Sequence, residues 1–500
     1  MELAYIVLLI LLIIYVPLYF YVRAGKLERY GLVKYGPCIM IRTKLGLRLM
    51  DRLAKYKRAW DAFGLLSKAI TLLLMGFMLF IIIIDLTLIP QMMNTQPLNP
   101  VYVLAIPGLN PMMPLVYGAI GLVVAMTVHE MGHGIQSRTN GIEVDSSGLL
   151  YAVVPVGAFV EPNNEQLSKA PRKAQMNMFS AGIATNFVLA GVCFLVLSFG
   201  MLGTLSSEYG SNLATGEITD GSPADIAGIP DFSIFPDLNE SLTFDPTVPM
   251  DLKYVAQDGE HTAIDMRLGL YVVLTTDNSP AGSDKAFFHN RFIYSIDLKD
   301  GGGQRLIDSQ ATFSDIMSRT HGGQTVEVFT LKVDGTDLHG KDVTLGSKGS
   351  IGYLGIQTNI SGMGFTTPDH VLGGAVNPFY NANSVTDVGS KAISYIGGPF
   401  RGYAPIPEGM HWWYSDSDAF WIAATTVYWI FWLNLVLAIF NALPAIPFDG
   451  GYLFRGGVDW IADRFKLTGD KKEATVNMVT NGVSMFMIFA FMLIVMVMLI

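Results

Sequence analysis

The motif HEMGH at residues 129–133 constrains this chain most, because it lies within an apolar stretch from about residue 115 to residue 135. On an α-helix, two histidines four residues apart share one face, where both can ligate a single zinc ion. The glutamate between them can reach the water molecule in an open coordination position. Ionisable side chains are costly in hydrocarbon and are functional there by default. The sequence therefore predicts a zinc site within the membrane, with His129 and His133 as ligands and Glu130 as the base.

Composition and hydropathy indicate a polytopic membrane protein with a soluble part. Of the 500 residues, 51% are hydrophobic and 15% are charged, and a chain of this size can hold several spans and a further domain. The first apolar segment has no basic region before it, which favours an uncleaved anchor over a signal peptide. Cys38 and Cys193 are too few for a disulfide framework or a thiolate zinc site. The segments long enough to cross a bilayer are residues 3–22, 69–89, 114–136, 175–203, 419–441 and 476–500.

Basic residues indicate the orientation of these spans. Between Val22 and Trp60 there are eleven basic and two acidic residues, so the positive-inside rule places this loop in the cytoplasm. Alternation then places residues 137–174 and 442–475, which both carry basic clusters, on the same inner side. The segment 204–418 is therefore predicted to be extracytoplasmic.

The outer segment is acidic. Between Ser206 and Ser415 it carries 25 acidic and 12 basic residues. Such a composition suits a solvated domain rather than a nucleic-acid surface. The sequence thus predicts a multi-pass protein of the cell membrane, in contact with membrane lipid, that has no nucleic-acid partner.

A catalytic zinc site needs a third protein ligand beside the two histidines. The metzincin pattern fails because Thr139 stands where its third histidine would be. A distant candidate is Asp449, which follows the fifth predicted span, and topology places it on the same side as the inner end of the third span. The nearby candidates are Glu143, Glu161 and Glu165.

The segment before Asp449 is irregular. Pro444 and Pro447 end the apolar helix, and irregular backbone at membrane depth is tolerated only inside protein or beside a wet cavity. This segment leads Asp449 into a Gly turn of an inner loop. Taken alone, Asp449 is equally consistent with an ordinary Asp-Gly turn and with a metal ligand.

The fourth predicted span contributes one more element. Ala181, Gly182 and Ala184 are small enough for close helix approach, and Asn186 is a single amide in an apolar run. Taken alone, Asn186 is equally consistent with a hydrogen bond between packed helices and with a catalytic role.

These three elements together resemble the site-2 protease family of intramembrane zinc metalloproteases. They occur in the family's order and cover about residues 110–203 and 419–460. Pro447 lies one position later than in the family's pattern, whereas the aspartate keeps its place. The elements are HEMGH, Gly182-x-x-x-Asn186 and Asn441-x-x-Pro444-x-x-Pro447-x-Asp449-Gly450.

The resemblance implies roles for the site residues. Asp449 is the expected third ligand of one zinc ion per chain, and Glu130 is the expected base. Asn186 and Asn441 are candidates for holding the extended substrate or the oxyanion. The stretch 156–162 resembles the family's extended element near the site, a strand that can add a substrate strand by backbone pairing.

The resemblance also implies the activity, a zinc metalloendopeptidase that cleaves transmembrane helices of other proteins. Peptide hydrolysis needs water and an accessible backbone, so a substrate helix must be unwound locally and held extended. Glu130 would take a proton from the attacking water and pass it to the leaving amine.

Two segments of the outer region are similar to PDZ domains. Residues 221–229 have a turn-then-helix pattern, and a fuller series of strands, a turn and a short helix runs from 269 to 356. Either two PDZ-like units are present or one unit carries an insertion near 230–267. Such a domain would bind peptide carboxyl termini. Residues 366–418, rich in Gly, Asn and Pro, are predicted to form a linker that ends at the aromatic belt.

The predicted fold class is a polytopic α-helical membrane protein of about six spans with an inserted extracytoplasmic β-rich, PDZ-like region. The predicted parts are residues 1–113 with the N-terminal spans and basic loop, 114–203 with the first half of the catalytic core, 206–365 with the PDZ-like region, 366–418 with the linker, and 419–500 with the second half of the core.

Two other functions are consistent with part of the sequence. A non-catalytic membrane scaffold that presents PDZ-like domains would have no use for Glu130. A membrane metalloprotease of the prenyl-protein-processing type needs a later glutamate-bearing ligand helix, and residues 476–500 contain no Glu or His.

Overall fold

The computed structural model describes residues 2–93, 100–103, 107–110, 113–152, 154–239, 241–398, 405–414 and 416–499. The helices are α1 (Glu2–Arg23), α2 (Leu47–Ala54), α3 (Lys57–Met92), α4 (Leu115–Thr139), α5 (Asn164–Lys169), α6 (Arg172–Leu195), α7 (Pro223–Ile226), α8 (Lys285–Phe288), α9 (Gln310–Ser318), α10 (Pro368–Val376), α11 (Val385–Gly397), α12 (Asp418–Asn441), α13 (Asp449–Arg464) and α14 (Gly469–Leu499). The strands are β1 (Leu32–Tyr35), β2 (Cys38–Thr43), β3 (Val144–Ala152), β4 (Val154–Pro162), β5 (Leu213–Thr215), β6 (Ile234–Phe235), β7 (Met250–Ala256), β8 (Gly259–Met266), β9 (Leu270–Thr275), β10 (Arg291–Asp297), β11 (Gln304–Leu306), β12 (Thr325–Lys332), β13 (His339–Thr344), β14 (Gly346–Lys348), β15 (Ile351–Tyr353), β16 (Ile356–Ile360) and β17 (Phe365–Thr366).

The chain divides into two compact units. The membrane unit comprises Met1–Gly203, Ser384–Pro405 and Ala419–Ile500. The β-rich unit comprises Thr204–Asn383 and Ile406–Asp418.

Within the described residues, five helices are long and apolar enough to cross a membrane. They coincide with the last five predicted spans, and most extend past the predicted bounds because hydropathy marks only the apolar part of a helix. α3 begins at Lys57 rather than at 69, since its charged first turns are also helical. The predicted span 3–22 coincides with α1, and its crossing of the membrane stays a prediction. The five helices are Lys57–Pro90, Leu115–Thr139, Arg172–Thr204, Asp418–Asn441 and Gly469–Leu499.

Glycines allow the central helices of the membrane unit to approach closely. A Cβ atom on Gly132 of α4 would lie 2.8 Å from the carbonyl oxygen of Ala181 of α6. One on Gly121 of α4 would lie 2.8 Å from the carbonyl oxygen of Trp429 of α12. Because only a hydrogen atom fits at either place, the backbones pack without an intervening side chain. The contact at Gly132 brings the histidine-bearing turn of α4 against α6.

The chain around Asp449 differs from the prediction. We expected a turn within an inner loop over 442–475, but Asp449 is the first residue of α13. Gly450 and Gly451 serve close packing rather than a turn, because a Cβ atom on either would lie within 2.4 Å of backbone atoms of the preceding segment. Phe448 is extended and lets the new helix begin after it.

A four-stranded antiparallel sheet in the order β1-β2-β3-β4 belongs to the membrane unit. β4 contains the predicted extended element 156–162 and pairs with β3 in a register that places Val160 opposite Ser147 and Ala158 opposite Leu149. In the described part of the chain, no further strand pairs with the other side of β4. β4 is therefore an edge strand.

Two larger antiparallel sheets form the β-rich unit. One has the order β17-β5-β6-β7-β8, and the other has the order β13-β12-β10-β9-β16 with β11 paired to β10. β14 and β15 form a separate pair. Buried side chains of both larger sheets form one hydrophobic core, for example Phe235 and Leu252 of the first and Ile293 and Val326 of the second. A β-rich region is confirmed, and its assignment as PDZ-like stays a prediction.

The two larger sheets contain one repeated motif. TDGSPA at 219–224 follows β5 and TDNSPA at 276–281 follows β9, and each leads into a helical turn. The Thr219 amide donates to the carbonyl oxygen of Gly362, and the Thr276 amide donates to that of Gly355. Both glycines have positive φ and lie over the motif's serine, where a Cβ atom would be 2.0 Å or less from the hydroxyl oxygen. Because these glycines flank β16, one strand supports both copies.

Residues 366–418 contain helices and are not a simple linker. α10 begins after the capping side chain of Thr367, and α11 begins after that of Ser384. Trp413 is buried. The Gly, Asn and Pro content suggested irregular chain, whereas the two caps are start signals that composition does not show. Residues 399–404 and 415 of the predicted linker lie outside the described residues.

Candidate metal centre

Three side chains of the membrane unit converge on one point. His129 Nε2 lies 3.0 Å and His133 Nε2 lies 3.1 Å from Asp449 Oδ2, and the two Nε2 atoms are 3.1 Å apart. α4 places both histidines on one face, and α13 supplies the carboxylate with its first residue. Two imidazole nitrogens and a carboxylate oxygen are a ligand set that zinc accepts. Within the described chain, this is the cluster that could hold a metal ion.

The orientation of the side chains fits that ligand set. His133 Nδ1 lies 2.8 Å from the carbonyl oxygen of Met178, and we assign the proton to Nδ1, which leaves the Nε2 lone pair directed at the cluster. Both imidazoles are buried. A carboxylate oxygen and two Nε2 lone pairs that face one point fit the ligand preferences of a zinc ion.

α6 forms one wall of the cluster. A Cβ atom on Gly182 would lie 2.4 Å from His133 Nε2 and 2.9 Å from His129 Cε1. The sequence marked Gly182 as a residue for helix packing. In the structure it leaves room for both imidazoles.

We expect Gly182→Ala to displace His133 and to lower zinc affinity roughly 10- to 100-fold, because the new methyl group and Nε2 cannot both fit. The measurement is the zinc content of the purified protein at a series of buffered free zinc concentrations. The matched control is Gly191→Ala on the same helix, where a Cβ atom would meet nothing within 4 Å. Equal zinc affinity in the two variants would contradict this geometry.

Asn186 and Asn441 differ in their surroundings. Asn186 is fully buried, and neither atom of its amide has a partner among the described residues. It lies four residues after Gly182 and therefore on the same face of α6. Asn441 ends α12 and donates to the carbonyl oxygen of Leu437 at 3.1 Å. The predicted alternative of a helix-packing hydrogen bond for Asn186 is thus not seen in the described residues.

Glu130 contacts the edge strand. Its Oε2 accepts a hydrogen bond from the backbone amide of Val160 at 2.8 Å. The carboxylate therefore connects α4, which carries the histidines, with β4.

The glutamates that the sequence left open as third ligands lie outside the cluster. Glu161 contacts Arg42 at 2.8 Å and accepts from Ser146 at 2.6 Å. Glu143 and Glu165 are likewise absent from the set of converging ligand atoms.

Sequence reasoning missed two contributors to the site, the Met178 carbonyl and the Val160 amide. Both are backbone groups, which every residue type except proline carries in full, so residue identity gives no signal for them. The predicted strand over 156–162 was the one available indication, because a strand can leave one edge unpaired.

A cavity of about 480 Å³ lies between α6, α13 and α14. Its lining includes the stacked rings of Phe179 and Tyr452, whose centroids are 4.4 Å apart. Arg172 and Lys472, which lie 2.6 Å and 2.8 Å from Asp459, line it as well. The cavity thus adjoins the two helices that carry Gly182 and Asp449, and its charged lining suits water.

Comparisons with known proteins cover the same part of the chain. A sequence model of peptidase family M50 matches residues 117–493. An uncharacterized protein of Methanocaldococcus jannaschii is 34% identical over 211 residues, which are 42% of this chain and 54% of that protein. A membrane-bound transcription factor site-2 protease homolog of Arabidopsis thaliana is 27% identical over 111 residues, which are 22% of this chain and 21% of that protein. The matched parts span about half of the first relative's length and a fifth of the second's.

Proposed function

The chain belongs to peptidase family M50, the site-2 protease family, and from this premise we propose that it is an intramembrane zinc endopeptidase that cleaves transmembrane helices of other proteins. The observation that carries the proposal is the convergence of His129, His133 and Asp449. Two of these residues lie on α4, one of the helices long and apolar enough to cross a membrane.

The chemistry follows from the residues around this cluster. His129 and His133 would hold zinc through Nε2, and Asp449 would hold it through its carboxylate. When bound, zinc would polarise the scissile carbonyl and activate a water molecule. Glu130 would take the proton from the attacking water and give it to the leaving amine.

The amides would orient the substrate. We propose that Asn186 and Asn441 hold the extended chain or the oxyanion. Among the described residues the Asn186 amide has no hydrogen-bond partner. This supports the role for Asn186 more strongly than for Asn441, whose Nδ2 donates to a carbonyl of its own helix.

The substrate would bind as a strand along β4. A membrane helix offers no free backbone groups, since its amides and carbonyls are paired internally. Once unwound, it can pair with the outer edge of β4, along which no other described strand lies. The backbone N–H and C=O groups of successive strand residues point to opposite edges of the strand. Because the Val160 N–H points outward to Glu130, the N–H and C=O groups of Ala158 face the same outer edge.

Cleavage in detergent tests the proposal. Purified protein should cut a synthetic peptide with an apolar span of ~20 residues, a zinc chelator should stop the reaction, and added zinc should restore it. The alternative is a non-catalytic scaffold with peptide-binding domains. That alternative would be supported if zinc-loaded protein left a varied set of such peptides intact.

We further propose that the protein resides in the cell membrane among lipids with the β-rich unit outside, as the basic loops indicate. The β-rich unit contains a cavity of about 630 Å³ whose lining includes Ser309, Thr367 and His370. This cavity is a candidate site for peptide carboxyl termini, which PDZ-like domains bind.

The β-rich unit is expected to act as a size filter that hinders substrates with bulky outer domains. It is inserted in the chain between α6, which carries Asn186, and α12, which leads to Asp449. Replacing residues 206–383 with a flexible linker should speed the cleavage of substrates with bulky outer domains several-fold. The measurement compares initial rates on one substrate with and without a folded outer domain, and zinc content reports an intact membrane unit. Slower cleavage of both substrates would show recruitment instead, and unchanged rates would show neither role.

A further inference from the structure

The proposed base is hydrogen-bonded to the strand that is proposed to receive the substrate. Glu130 Oε2 lies 2.8 Å from the backbone nitrogen of Val160, which donates to it. The donor belongs to the outer edge of β4, where an added strand would need it. Glu130 therefore occupies the place that a backbone carbonyl of an added strand would take at Val160.

The two elements are also packed together beyond this hydrogen bond. A Cβ atom on Gly134 of α4 would lie 3.3 Å from Val160 Cγ1, so the valine side chain sits against the helix one turn beyond Glu130. A strand added to β4 must therefore approach the amide of Val160 while Glu130 already accepts from it. One N–H group cannot form a well-aligned, full-strength hydrogen bond to two acceptors at once.

We propose that the Val160 amide donates either to Glu130 or to a bound substrate strand, so that substrate binding releases the base. In the substrate-free protein it holds Glu130. When a substrate strand pairs with β4, the amide passes to a substrate carbonyl, and Glu130 is freed to take the proton from the attacking water. Val160 acts as a positioning residue through its backbone. This inference rests on the proposed function.

Peptide affinity tests the competition in two variants that lack the base. Glu130→Gln keeps a side-chain oxygen that can accept from Val160, whereas Glu130→Ala leaves the amide free. The probe is a fluorescent synthetic peptide with an apolar span interrupted by Gly-Pro, which unwinds the helix, titrated in detergent with zinc present. Glu130→Ala should bind it about 3- to 10-fold more tightly than Glu130→Gln, as expected for one hydrogen bond.

A second residue turns this comparison into a double-mutant cycle. Val160→Pro removes the N–H but not the strand, because proline is tolerated where an edge-strand amide faces outward. In that background, the affinity ratio of the two Glu130 variants should fall to one. In the matched background Val160→Ala, which shortens the side chain but keeps the amide, the ratio should persist. If proline impairs folding, the same N–H can be removed by replacing the Phe159–Val160 peptide bond with an ester, through the α-hydroxy analogue of valine. The affinity ratio of the two Glu130 variants should again be one.

Several results would overturn the proposal. Equal affinities of Glu130→Ala and Glu130→Gln, or tighter binding by Glu130→Gln, would show that Glu130 does not compete for the amide. A ratio that persists after Val160→Pro and in the ester would assign the difference to the space left by Glu130→Ala. Failure of the proposed function would be seen separately, as a wild-type protein that binds zinc but does not cleave the peptide.

Discussion

Glu130→Gln is expected to lower the rate of peptide cleavage by about 10²- to 10⁴-fold while zinc remains bound, because the substitution removes the base and leaves the ligands intact. Glutamine has the size of glutamate, and its oxygen can still accept from the Val160 amide, so α4 and β4 should keep their contact. The measurement is kcat on a membrane-span peptide, with zinc quantified in the same preparation by elemental analysis.

The matched control is Glu165→Gln. Glu165 is exposed and pairs with Lys169 four residues later, and an exposed pair of this kind contributes only ~0.3–0.5 kcal/mol. Its cleavage rate should equal that of the wild type. A Glu130→Gln protein that cleaves at the wild-type rate would remove Glu130 from the mechanism.

Asp449→Ala and His133→Ala are expected to lose zinc. The wild type should hold about one zinc ion per chain, since the cluster supplies three ligands. Removing either ligand should weaken binding roughly 100-fold or more, and cleavage should be lost with the metal. Zinc content after equilibration with buffered free zinc measures the affinity.

Asp470→Asn serves as the control for charge, because Asp470 is an exposed residue in the first turn of α14. It should retain zinc. Full zinc retention in Asp449→Ala would require another carboxylate at the cluster. Glu161 could serve only by giving up its contacts with Arg42 and Ser146, so zinc binding would then depend on Glu161.

The helical part of the site was predictable because spacing alone decides it. His129 and His133 share a face by the period of the α-helix, and the topology predicted from basic loops placed Asp449 at the same side. The start of α13 was not predictable in this way. Asp449 followed by two glycines is typical of a turn, and only the packing of Gly450 and Gly451 against the preceding backbone shows that the glycines serve a close helix contact.

The contact between Glu130 and Val160 was beyond the sequence for a different reason. It depends on which side of β4 pairs with β3, and a shift of one residue in that register would turn the Val160 amide inward. The sequence indicated a strand over 156–162 but carried no information on its pairing partner. Gly182 is an intermediate case, because the sequence predicts a small residue for close helix packing, whereas its closeness to His133 depends on how α6 packs against α4.

The separation of the cluster in the chain has a consequence for biosynthesis. Asp449 lies 316 residues after His133, and the first segment of the β-rich unit is translated entirely between them. At roughly 5–20 residues per second, a ribosome takes about 15–60 s to cover that distance. Throughout this interval the nascent chain already carries both imidazoles and Glu130 in the sequence of α4 but lacks the carboxylate that completes the cluster. A chain released early by a stalled ribosome therefore lacks one of the three clustered side chains, and under the proposed function it would be unable to cleave the membrane proteins around it.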